Sequence, residues 1–155
     1  MSEGIAIVFG AIIALLGGVF AEILRSDLER KNAQQERRNE SQREALRLVL
    51  DHLTLASAAA IDCRWAVAET GYDHSANTPE MIESFTAFDK EMDQVLKFVE
   101  LVQTEDIRTK SKASIFAHAE LLFPTSHEDA SRRADKAALL HQIALRAIGR
   151  ELRSL

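Results

Sequence analysis

One cysteine, two prolines and six glycines are all that this chain of 155 residues holds of those three types. With Cys63 alone, an internal disulfide framework and any paired-thiol metal or redox motif are excluded. The scarcity of thiol also fits a reducing compartment. So few helix breakers, beside abundant Ala, Leu, Glu and Arg, predict a helical protein with no sheet. An excess of basic charge is absent too. Of the 24 acidic residues, Glu3 and Glu22 lie in the opening segment, and the remaining 22 face 19 basic residues for a net of −3. That is no composition for gripping a nucleic-acid polymer. Phosphate loops, nucleophile elbows, zincin spacings and EF-hand loops are missing. His52, His118 and His141 have no carboxylate three or four residues away, which removes the Glu-x-x-His pattern of two-metal helical bundles. No catalytic residue, cofactor or metal site is therefore expected.

What the chain does have is a long uncharged run at its start. Gly4 to Ala21 carries no charge, and Ile23 and Leu24 extend the run past Glu22. At about 1.5 Å per residue this covers about 27–31 Å, the thickness of a hydrocarbon core. A cleaved export signal would need a basic start and a small-x-small cleavage site. The N-terminus instead reads Met-Ser-Glu-Gly, and no such site precedes Glu22. Residues 1–24 are read as a single-pass anchor. Basic residues follow it at Arg25, Arg30, Lys31, Arg37 and Arg38 and none precede it, so the N-terminus is expected outside and the rest in the cytoplasm, at the inner (plasma) membrane. Gly10, Ala14, Gly17 and Ala21 fall at steps of four, three and four, and Gly18 widens their face. Small faces let membrane helices approach each other closely, so this one is expected to self-associate.

Residues 25–45 read as a polar helical stalk. They hold no Pro or Gly, and Arg25 with Glu29, Asp27 with Lys31, Glu40 with Arg43 and Glu44 with Arg47 are spaced to pair along a solvated helix. The anchor's stripe continues through Leu24 and Leu28, steps by an extra four residues, and becomes Asn32, Gln35, Asn39 and Gln42. Spacings of three and four mark a helix–helix seam, and Asn within a seam fixes register and oligomeric state. The inserted step would locally unwind a supercoil.

Residues 46–155 read as a helical bundle. The seam turns apolar at Leu46, Val49, Leu53, Ala56, Ala60, Cys63 and Val67. Leu48, Leu50, Leu55, Ile61 and Trp65 spread apolar character round the helix, as in the central member of a bundle. Gly71 suits its C-terminal cap. Thr78-Pro79-Glu80 is a helix start, followed by Met81, Phe85, Phe88, Met92, Val95, Val99 and Val102 on one seam. Gln103 to Asp106 reads as a stop and a new cap. A third helix runs to about Leu122, with Ile107, Ile115, Ala119 and Leu122 inward, and Phe123-Pro124 ends it. Thr125 to Asp129 offers Ser/Thr-x-x-Asp/Glu caps. The last helix places Ala134, Ala138, His141, Leu145, Ile148, Leu152 and Leu155 on one seam. The sum is an all-α chain: a transmembrane helix continuing as a long stalk into a cytoplasmic four-helix bundle.

Two constellations could carry chemistry. Convergence of His52, His118 and His141 would make a three-histidine zinc site conceivable, whereas single histidines at a core edge would each bond a backbone group. His74 and His127 fall in loops. Cys63, on an apolar seam, reads as a small core residue. Charge is also polarised: Glu80 to Glu100 holds six acids against Lys90 and Lys97, and the last helix is basic. Arg146, Arg150 and Arg153 share one face, either packed beside the acidic helix or open to an anionic ligand such as a nucleotide, or to anionic lipid. The expected partners are the lipid bilayer, a second copy of the chain and, as a further candidate, another membrane protein. The function read from this is a non-enzymatic, membrane-anchored, self-associating protein whose bundle is an interaction or assembly module, or an accessory subunit of a membrane complex. The alternatives are a membrane-perturbing effector whose bundle senses a small anion, and a metal-dependent enzyme resting on the three histidines.

Overall fold

In the computed structural model, the described residues are Ser2 to Leu155 without His74, Ala76 and Asn77, and side chains are described from Glu22 onward. They form four helices and no strand: α1 (Ser2–Glu69), α2 (Pro79–Val99), α3 (Glu105–Glu120) and α4 (His127–Ser154). The chain is all-α. It divides into residues 1–40 and a compact unit of residues 41–155. Among the described residues no helix is long and apolar enough to cross a membrane. The side chains of the anchor's small face, Gly10, Ala14, Gly17, Gly18 and Ala21, lie outside those described.

Residues 22–40 of α1 are exposed apart from Ser26 and Asn39, which are half-buried. Local pairing supports this stretch. Arg25 Nε donates to Glu29 Oε1 at 2.9 Å, and Gln35 Nε2 donates to Asn39 Oδ1 at 2.9 Å. Each such pair contributes about 0.2–0.5 kcal/mol.

The compact unit begins at Ser41 and includes Gln42 and Ala45, both buried. Gln42, read from the sequence as part of the polar seam, sits inside the bundle. Its Oε1 accepts the main-chain N–H of Gln103 at 3.1 Å, between α2 and α3. The rest of the unit is an up-down-up-down four-helix bundle. Contacts across the helices set its sense: His52 meets Glu91 between α1 and α2, Lys112 meets Glu100 between α3 and the end of α2, and Thr104 Oγ1, just ahead of α3, donates to Glu151 Oε1 late in α4 at 2.8 Å. Helix α3 packs against both α2 and α4, while no Cα of α2 comes within 8 Å of one in α4. The acidic and basic helices are therefore diagonal, and the packing of α4 beside the acidic helix expected from charge alone does not occur.

The helix ends follow from local chemistry. Thr78 Oγ1 accepts the Met81 N–H at 3.2 Å, with Pro79 at the first turn. Ser126 Oγ accepts the Asp129 N–H at 3.2 Å, and Asp129 Oδ2 reaches back to the Thr125 N–H at 3.1 Å. The Ser126 cap is worth about 1 kcal/mol. Helix α1 ends in a Schellman motif: Tyr72 N–H to Val67 O at 3.1 Å and Gly71 N–H to Ala68 O at 3.0 Å. Both Gly71 and Tyr72 take positive φ, 67° and 68°. For Tyr72 this costs about 1–2 kcal/mol, offset by packing of its ring on the core and a 3.1 Å bond from its hydroxyl to His127 Nδ1. Thr104 differs from expectation. It precedes α3, but its hydroxyl makes no cap bond and is taken by Glu151.

The core contains the whole α1 stripe from Leu46 to Val67, together with Phe88, Val95 and Val99 of α2, Val102 between α2 and α3, Ile107 and Ile115 of α3, and Ile148 of α4. Two apolar surfaces depart from the sequence pattern. Leu55, Ile61 and Trp65 are exposed, so α1 is not covered round its girth. On α4 the buried stripe is Ala130, Ala137, Ala144 and Ala147 with Ile148, while Ala138 is exposed and His141, Leu145 and Leu152 are half-buried.

Candidate functional site

The uncovered faces of α1 and α4 meet in a trough. Its first part, of about 690 Å³, lies between Ile61, Arg64 and Trp65 of α1 and Leu139, Gln142 and Leu145 of α4, with His118 and His141 in its wall. A second depression, about 620 Å³ and lined by α4 residues alone, shares Gln142 and Leu145 with it and extends to Arg146, Gly149, Arg150 and Arg153. Each volume falls in the range of small-molecule sites, about 300–1,000 Å³. The positions repeat as the helix dictates: Gln142, Arg146, Gly149 or Arg150, and Arg153 succeed one another by three or four residues and share a face.

Trp65 is 60% exposed, and the Arg64 guanidinium carbon sits 5.5 Å from its ring centroid. The sequence reading placed Trp65 in the core. Its surface position became visible only with the packing, because an apolar girth does not say which arc is covered.

Of the three histidines, two meet. The rings of His118 and His141 are 5.3 Å apart and nearly perpendicular at 76°. His118 is buried, and its Nδ1 bonds the Ser114 carbonyl at 2.8 Å. A carbonyl only accepts, so Nδ1 carries the hydrogen and Nε2 of the neutral ring is an acceptor. His141 Nδ1 is buried without a partner among the described residues. His52 is elsewhere: its Nδ1 lies 2.6 Å from Glu91 Oε2, and its ring stacks on Phe98 at 5.3 Å and 16°. The three-histidine arrangement is not formed, and no group of three metal-ligating side chains occurs among the described residues. His127 starts α4, and His74 lies outside the described residues. Cys63 is buried beside Val67, Met81 and Leu122, and burial pushes its thiol up, away from the reactive thiolate.

Burial pushes His118 down from the ordinary 6.5, opposed by its bond to Ser114; burial and the neighbouring His118 push His141 down as well. Arg64 lines the same trough. The folded rings stay neutral where unfolded ones take up protons, so the unfolded state binds more protons below about 6.5 and stability falls with acidification there. Asp129 adds a second window. The Thr125 N–H first, then Arg132 and Arg133, hold its carboxyl well below the ordinary 3.8, so its contribution is present above that value and is lost as pH falls below it. Melting temperature is expected to be flat between pH 7 and 8 and to drop between pH 6.5 and 5. A His118→Gln/His141→Gln chain should lose the drop in the upper window and keep that below pH 4. An unchanged pH profile in the double variant would overturn this assignment.

The other basic residues of α4 have partners. Arg132 and Arg133 each reach Asp129 at 2.8 Å, and Lys136 reaches Glu120 at 2.7 Å. Arg146, Arg150 and Arg153 have no carboxylate within ion-pair distance among the described residues. The face read from sequence as an anion contact is thus an open cationic strip at one end of the trough. Asn32 and Gln35 are exposed, Asn39 is half-buried and Gln42 is inside the bundle. No protein-family model matches the chain, and no curated protein and no solved structure matches it.

Proposed function

We propose that the chain is a single-pass, membrane-anchored, self-associating helical protein with its N-terminus outside and its bundle in the cytoplasm, acting there as an interaction or assembly module or as an accessory subunit of a membrane complex. The observation that carries this reading is the bare stretch of α1. Ile23, Leu24 and Leu28 are each more than half exposed, and the polar seam beyond them is open through Gln35. Helices in water draw most of their stability from packing of one face rather than from propensity. A second copy of the same seam supplies that packing, with Asn32 and Asn39 selecting the register. The uncharged run Gly4 to Ala21 and the basic residues after it support the anchor and its orientation.

The full chain in mild detergent is expected to give one oligomeric mass by native mass spectrometry. Asn32→Leu/Asn39→Leu should bind its copies more tightly and spread over several stoichiometries, as loss of a buried polar seam residue predicts. A strict monomer in detergent and in nanodiscs would overturn the reading. A second reading, an effector whose bundle senses a small anion and acts on the membrane through α1, is favoured by Arg146, Arg150 and Arg153, which have no carboxylate partner among the described residues.

A further inference from the structure

We propose that the α2/α3 face of one copy docks on the α1/α4 face of the next, with Trp65 seated in the small apolar pocket beside Phe85, and with Asp89 and Asp93 on Arg146 and Arg150. This rests on the self-association reading and adds to it the surface by which the bundles meet.

The two faces lie on opposite sides of the bundle, since α1 neighbours α2 and α4 while α3 joins those two. Each carries large exposed apolar side chains: Ile61, Trp65 and Leu139 on one, and Ile82, Phe85, Phe116 and Phe123 on the other. Such clusters mark contact sites, unlike the scattered single exposures of any protein surface. Between Phe85 and Phe123 lies a pocket of about 290 Å³ that Cys63, Val67 and Met81 also line. Thr86 Oγ1 in its wall donates to the Ile82 carbonyl at 2.7 Å, so the pocket asks for an apolar body. Trp and Arg, the residues that carry most energy in protein interfaces, are what the α1/α4 face presents to it.

Opposite charge lies beside the two apolar patches. Phe85, Asp89, Asp93 and Glu100 follow at steps of four, four and seven on one stripe of α2. Glu100 pairs with Lys112, which fixes that stripe to the α3 side. Asp89 and Asp93 are exposed and pair with no cation among the described residues. The lysines of α2 lean the other way. Lys90 approaches Glu91 and Lys97 sits over the Phe98 ring, on the flank that meets His52 of α1.

The heights agree. Counted from the Arg43–Leu155 contact at about 1.5 Å per residue, Arg150 and Arg146 stand at about 8 and 14 Å, Leu139 and Ile61 at about 24 and 27 Å, and Trp65 at about 33 Å. Carried across by the His52–Glu91 and Lys136–Glu120 contacts, Asp93 and Asp89 stand at about 11 and 17 Å, Phe85 and Phe116 at about 23 Å, and Ile82 at about 27 Å. Side chains lean toward the N-terminus of their helix, so Trp65 drops toward the height of Ile82. Copies standing side by side in one membrane share one height, so apolar surface meets apolar surface and acid meets arginine. Because the two faces differ, the contact is head-to-tail and passes beyond a dimer.

The test uses the full chain in liposomes, with Cys63→Ala as background and a short bismaleimide as probe. Ile82→Cys/Leu139→Cys is expected to give a ladder of crosslinked copies, and either substitution alone is expected to give none. The two positions are on opposite sides of one bundle, so every crosslink between them joins two copies. Adding Asp89→Arg/Asp93→Arg should reduce the ladder at least about tenfold, since like charges then meet across the contact. Further addition of Arg146→Asp/Arg150→Asp should restore it, with circular dichroism in detergent confirming that each variant is folded. No ladder from the doubly substituted chain overturns the proposal and leaves these faces to a different partner. A ladder indifferent to charge reversal overturns it too, as does equal crosslinking by either substitution alone, the mark of a face meeting its own copy. An oligomeric mass without the ladder sinks this contact and leaves the self-association reading standing, whereas a strict monomer sinks both.

Discussion

Phe88→Ala is expected to cost about 3–5 kcal/mol, a large share of the 5–15 kcal/mol that holds a typical domain folded. Phe88 is 1% exposed and is the largest wholly buried side chain in the bundle. Its removal takes apolar surface out of the core and leaves a cavity that surrounding helices fill only in part. Phe85 provides the control. It lies three residues earlier on the same sequence pattern, but it is 41% exposed and its ring meets Phe123 edge-on at 5.8 Å, at the rim of a small apolar pocket. Phe85→Ala is expected to cost less than about 2 kcal/mol, since much of the ring's transfer energy is never gained. Urea unfolding of the two variants should show a much lower midpoint for Phe88→Ala at a similar slope. Equal losses at both positions would mean that α2 is rotated from the face described.

The contrast between Phe85 and Phe88 marks what was legible in the sequence. The α1 stripe from Leu46 to Val67 was legible in full because its three- and four-residue steps leave one face. Every member is buried. Helix ends at Gly71, Thr78 and Ser126 were legible because caps use bonds within a few residues. Cross-helix partners were not. Gln42 finds Gln103, His52 finds Glu91 and Thr104 finds Glu151, each across dozens of residues. The cationic face of Arg146, Arg150 and Arg153 could be read from spacing alone. That these arginines stay open could not, because it depends on α4 lying diagonal to the acidic α2. Trp65 and Ile61 were placed in the core because apolar character counts the same whether a neighbouring helix or a ligand covers it.

The last helix was read partly off its most buried face, and a pair of variants tests it. Of the seam Ala134, Ala138, His141, Leu145, Ile148, Leu152 and Leu155, Ile148 lies in the core and Ala134, Leu145, Leu152 and Leu155 pack against it, while Ala138 is exposed. The face that α4 buries most is made of Ala130, Ala137, Ala144 and Ala147. Its neighbour α3 likewise buries small residues, Ser111, Ser114 and Ala117, and the two seryl hydroxyls have no partner among the described residues. Small side chains on both helices permit axes toward the short end of the 8–10 Å packing range, where added carbon has no room. Ala144→Leu is therefore expected to destabilise the bundle by about 1–3 kcal/mol. Ala138→Leu, six residues earlier on an exposed face, should leave stability within about 0.5 kcal/mol. Both changes add the same atoms and the same helix propensity, so the difference in melting temperature isolates which face of α4 meets α3. Were Ala138→Leu the costly variant, the seam read from the sequence would be the true contact face. The trough that carries Trp65, His141 and the three arginines would then be closed by protein.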